Sequence, residues 1–166
     1  LNVTGTGALR VTSASKLAVT SRIFADLRSS GRGTFGQFVP GTARANALRR
    51  GALLQLSNQS DLTSGNRTNI GFFNPNIGIV TVRLELRSAA GALLGMNIVT
   101  LQPLSQQQLS LGSYFPGVDV SALQNATLSF DAGAPIVAYG SVVDNVSTDQ
   151  IFVTPQEDPG VASAAQ

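Results

Sequence analysis

Asp144, Asn145 and Asp149 lie close together near the end of the chain, and three such oxygen donors on one loop could ligate calcium, a hard cation that takes carboxylate and amide oxygens. The segment lacks the dense aspartate spacing of a dedicated calcium loop, so an Asx turn with a charge pair is the competing reading. Asp26 and Asp144 are the acids beside two equivalent segments, and two carboxylates flanking a sugar can run glycoside hydrolysis. Their neighbours, Leu27 and Asn145, place both in turn contexts, where side chain to backbone hydrogen bonds explain them better. The single lysine, Lys16, falls in the turn Ala14-Ser15-Lys16, a solvated setting rather than the pocket a nucleophilic amine needs. With His 0 and Cys 0, the usual neutral-pH base, the usual zinc ligands and any disulfide scaffold are missing together. No catalytic residue, metal or cofactor is expected.

Two weaker constellations remain. Sugar-binding sandwiches stack ligands on aromatic faces, and with no Trp the only tyrosines, Tyr114 and Tyr139, would have to build that platform. Arg32, Arg44, Arg49 and Arg50 gather in one stretch, but the formal charge is only +2. Scattered arginines on solvated loops fit that better than a nucleic-acid surface. Arg67 and Asp144 both stand in half-apolar surroundings, and an ion pair between them that pins a loop to a sheet is expected. Five Asn-X-Ser/Thr sequons, from Asn2 to Asn145, follow from a composition rich in those residues.

These residues must be positioned by strands. From Ile79 to Arg87, Val80, Val82, Leu84 and Leu86 fall on one face while Thr81, Arg83, Glu85 and Arg87 fall on the other, the period of a half-buried strand. Ser88-Ala89-Ala90-Gly91 supplies a turn, and Ala92 to Leu101 returns as its hairpin partner. Similar segments are predicted at 8–12, 17–24, 34–39, 52–56, 68–73, 107–111, 126–130, 136–143 and 150–153. Helical patterning is confined to short connectors at Thr42 to Arg50 and Val118 to Leu123. The expected fold is all-β, an antiparallel sandwich, whose core includes Leu94, Met96, Ile98 and Leu109 besides the residues of the clearest strand and Leu128, Ile136 and Val142. No apolar run approaches a membrane span.

The order of segments repeats: 8–12, 17–24 and 38–40 run parallel to 126–130, 136–143 and 152–155. The expected organisation is therefore an N-terminal half-repeat over 1–45, a complete unit over 46–155 and a flexible tail over 156–166, with Leu1 consistent with an excised or mature piece.

Arg67-Thr68-Asn69-Ile70-Gly71, continued by Phe72-Phe73-Asn74, resembles a motif of bacterial secreted and cell-surface modules that occur in tandem. Ser21-Arg22-Ile23-Phe24 with Gly33 to Pro40, and Ala138 to Asn145, extend the resemblance over about Ala8 to Val153. It implies a β-sandwich of undefined function, more distantly similar to the tetrameric sensory rhodopsin transducer, and it brings no catalytic residues. The expectation is a non-catalytic structural or adhesive module outside the cell, forming a homo-oligomer or filament through strand edges left open by the half-repeat. The alternative is a carbohydrate-binding module anchoring a larger extracellular protein. Nucleic acid and membrane insertion are not expected.

Overall fold

The computed structural model describes residues 7–31 and 33–158, and it is nearly all β, as expected. Ten strands follow in order: β1 (Thr20–Asp26), β2 (Thr34–Pro40), β3 (Leu48–Gln59), β4 (Asn66–Phe73), β5 (Val80–Arg87), β6 (Leu93–Leu101), β7 (Gln106–Ser110), β8 (Ala122–Asp144), β9 (Gln150–Val153) and β10 (Gln156–Glu157). A helical turn, α1 (Leu111–Tyr114), and 3-10 turns at Arg28–Ser30 and Arg44–Asn46 complete the elements.

β8 organises the sandwich. Its first half pairs antiparallel with β3 on one side and β5 on the other, and its second half pairs with β4 and β9. One layer therefore runs β10-β3-β8-β5-β6 and the other β7-β4-β8-β9. Alternation holds through the exposed corner at Gly133 and Pro135, so Leu128, Phe130 and Ala132 face the same core as Ile136, Ala138 and Val142. Leu53 and Leu56 both reach that core across a register shift in β3. From the second layer, Ile70 and Phe72 close it, with the Phe72 ring edge-on to Phe130 at 6.2 Å and to Tyr114 at 5.7 Å. Removing such side chains from water contributes about 1.5–3 kcal/mol each, the main favourable term in the fold.

Several expected details are corrected. Residues 8–12 carry no strand, and 126–130 and 136–143 are halves of one strand. The helical turn sits at Leu111–Tyr114 rather than at 118–123, capped by Ser110 Oγ, which accepts from the Ser113 N–H. Leu94, Met96, Ile98 and Leu109 face out instead of in. In β6 the inner row is Gly95, Asn97, Val99 and Leu101: a Cβ at position 95 would meet Val118, and Asn97 Nδ2 donates to the Tyr114 carbonyl. Of the expected tail, Gln156 and Glu157 pair with Ala52 and Gly51, while 159–166 lie outside the described residues, as do 1–6 of the expected half-repeat.

The N-terminal segment contributes a hairpin of its own. Among the described residues β1 pairs only with β2, and β2 packs beside β9. Gln37 is its one buried side chain, its Oε1 accepting from Ser141 Oγ at 3.4 Å. No helix among the described residues is long and apolar enough to cross a membrane.

Candidate functional site

The loop that carried the calcium hypothesis is built from turn chemistry. Asp144 Oδ1 accepts from the backbone N–H groups of Val146 and Ser147 and from the Ser147 hydroxyl, bonds that hold its carboxyl below the usual carboxylate range. Asp149 Oδ1 accepts from the Gln150 N–H. Among the described residues, no three His, Cys, Asp or Glu side chains converge as metal ligands. Asp26 makes the same kind of turn at the end of β1, accepting from the Arg28 N–H and gripping the Arg28 guanidinium at 2.6 Å.

Arg67 does not reach Asp144. Its Nη1 donates to Asn145 Oδ1 at 2.9 Å, because Asp144 pairs with Asn66 in the strand register and turns its carboxylate into its own loop. Asn145 is the joint of this end of the sandwich. Its Nδ2 donates to the carbonyls of Asp61 and Ser64 at 2.8 and 2.9 Å, and its backbone N–H donates to Gly65. Asp61, fastened by Thr63 and Ser64 hydroxyls and the Thr63 N–H, has its pKa lowered to about 2. Asn145, singled out in the sequence as a candidate calcium ligand, thus spends its amide on protein partners, and its pairing with Arg67 is what the sequence did not reveal.

The two tyrosines do not form a platform. Tyr114 is 1% exposed and packs on Phe72. Among the described residues its hydroxyl has no hydrogen-bond partner, and burial pushes its pKa up. The capped α1 turn places this ring in the core. Tyr139 lies on the outer face of the β7-β4-β8-β9 layer, opposite Gly71 in register. Its ring covers the Gly71 backbone so closely that a Cβ there would overlap Tyr139 Cζ and Cε1. Phe152 stacks on it with centroids 5.2 Å apart, and its hydroxyl donates to Gln108 Oε1 and accepts from Gln106 Nε2. The glycine of the Arg67 to Gly71 motif is explained by this ring. Asn74, which follows it, is fully buried and ties three carbonyls, those of Gly78, Leu101 and Gln102.

What remains open is edge and apolar surface. All seven residues of β1 are exposed. Ile23 and Phe24 are 57% and 54% exposed, and Phe38, beside Arg22 across the hairpin, is 58% exposed. Leu17 and Val19, just before β1, are exposed too. On the sandwich, Met96 and Ile98 of β6 are 58% and 66% exposed.

No protein family matches the sequence, and no curated protein matches it either. Among solved structures, a Thermotoga maritima protein, number 1070, is similar with a TM-score of 0.55 at 12% identity, covering 69% of this chain and 98% of that one. The sensory rhodopsin transducer of Anabaena gives a TM-score of 0.48 at 8% identity, covering 57% of this chain and 87% of that one. The likeness to the Thermotoga protein is one of fold: a β architecture spanning nearly that whole chain recurs over about two thirds of this one.

Proposed function

We propose that the chain is a non-catalytic structural module of an exported or cell-surface bacterial protein, and that it associates with further copies through its strand edges. The observation that carries this reading is the β1–β2 hairpin, which holds Ile23, Phe24 and Phe38 in water beside an edge seven residues long that is unpaired among the described residues. An edge of that length offers backbone N–H and C=O groups in register for another strand, and covering each of those side chains removes apolar area worth about 25 cal/mol per Å². The candidate acids support the reading from the other side, since Asp26 and Asp144 are engaged in building turns.

Light scattering on size-separated protein over a range of concentrations tests it. The expected result is a mass above the 17.2 kDa of one chain, rising with concentration. A 17.2 kDa species at every concentration defeats the proposal. Detection of the native protein in the external fraction of its source cells tests the location.

A further inference from the structure

We infer that the acceptor for β1 is the free edge of β6 on a second copy, so that the interface is heterologous and each copy offers one donor and one acceptor. This inference rests on the self-association proposed above. β6 reads Leu-Leu-Gly-Met-Asn-Ile-Val-Thr-Leu, nine residues without a charge or a proline, and among the described residues it pairs with β5 alone. Sheet edges left to face water carry lysines, prolines or bulges that discourage pairing. β6 carries neither lysine nor proline, and its register irregularity is confined to Leu94 near its start, so Met96 and Ile98 stand in solvent next to Arg83 along a regular stretch. The other sandwich edges differ: β7 is rich in glutamine, β10 is two residues long and β9 already has β2 beside it.

Charge selects among the pairings. Residues 1–45 hold six cations and one acid, whereas 46–166 hold five cations and eight acids. Two basic arms meeting through β1 and β1 repel, while a basic arm approaching the acidic sandwich of another copy is attracted. At β6 itself Arg83 and Arg87 share the single acid Glu85, so the attraction comes from the acids elsewhere on the sandwich and the edge itself contributes apolar surface. A donor and acceptor on different surfaces give a head-to-tail contact, which builds an open filament unless the rotation between copies closes a ring.

The test uses two full-length variants, Ile98→Lys and Ile23→Lys, each a charge placed at an exposed strand position. Folding is checked by far-ultraviolet circular dichroism, and Ile98→Thr and Ile23→Thr serve if a lysine variant fails to fold. Each variant alone should associate at least about tenfold more weakly than the natural chain. An equimolar mixture should recover a 1:1 heterodimer that grows no further, because one partner keeps β1 and the other keeps β6. Ile77→Lys, at a loop residue 90% exposed, should associate like the natural chain. If Ile98→Lys associates normally, or the mixture fails to complement, or Ile77→Lys is equally impaired, the β6 assignment is wrong while self-association stands. If the natural chain is monomeric throughout, both readings fall.

Discussion

Gly71→Ala is expected to destabilise the fold, although the same change in an ordinary extended strand residue is favourable by about 0.5–1 kcal/mol. The added methyl would overlap Cζ and Cε1 of Tyr139, so the ring must lift away from β4. Lifting it forfeits the stack on Phe152, worth about 0.5–1.5 kcal/mol, and adds strain of the kind that overpacking produces, about 1–3 kcal/mol. The bonds of the hydroxyl to Gln106 and Gln108 count for little, because water replaces them at this half-exposed site. The net expectation is a loss of about 2 kcal/mol, seen as a fall in melting temperature of about 4–8 °C for a chain of this size. Urea denaturation of Gly71→Ala, Tyr139→Ala and the double variant provides the assay. Without the ring the methyl has nothing to displace, so the double variant should be no less stable than Tyr139→Ala, a coupling of about 2 kcal/mol. Additive effects within about 0.5 kcal/mol, or a neutral Gly71→Ala, would refute the reasoning.

Tyr114→Phe should stabilise the chain by about 1 kcal/mol, since the buried hydroxyl has no partner to lose; chemical denaturation checks this, and a loss of stability would mean the hydroxyl is satisfied in solution. Asn145→Ala should cost about 2–4 kcal/mol through the bonds it leaves unmade to Arg67, Asp61 and Ser64, whereas Asp144→Asn should cost less; denaturation of the two variants side by side decides the order. The folded-state pKa of Asp61 lies below its ordinary 3.8, at about 2, and Asp144 and Asp119 are also lowered. The contribution of Asp61 to stability is therefore full above about pH 4 and is lost as pH falls towards 2, and those of Asp144 and Asp119 are likewise lost on acidification. Melting temperature measured against pH should drop through that window, and Asp61→Asn should flatten the drop.

The strands whose two faces differ in polarity were legible in the sequence. β5 alternates apolar with charged residues, and its buried row is the one the pattern demands. β6 was not, because Leu94, Met96 and Ile98 compete with Val99 and Leu101 for the inside, and nothing in the pattern chooses between the rows. The choice is made by tertiary partners: Val118 tolerates only a glycine at position 95, and Asn97 finds the Tyr114 carbonyl. The same limit applies to the site. Turn roles for Asp26 and Asp144 follow from local chemistry, but the preference of Arg67 for Asn145 depends on strand register, and the burial of Tyr114 depends on a cap that begins the turn at Ser110.

The long shared strand also sets the order in which the molecule can be made. β3, β4 and β5 all take β8 as a neighbour, yet each leaves the ribosome well before it. Until residues 122–144 are synthesised, only the local pairs β1–β2, β5–β6 and the nearby β4–β7 can form. The rows Val80 to Leu86 and Ile70 to Phe72 lack the β8 side of their core in the meantime, with Tyr114 of α1 there to meet Phe72. Such a chain waits with unpaired central strands, the state in which nascent β proteins are most prone to pair with the wrong neighbour. Arrival of β8 then joins the central strands of both layers in one step, with β9 and β10 added at their margins afterwards, so the nascent sandwich should gain protease resistance abruptly once that strand has emerged, rather than hairpin by hairpin.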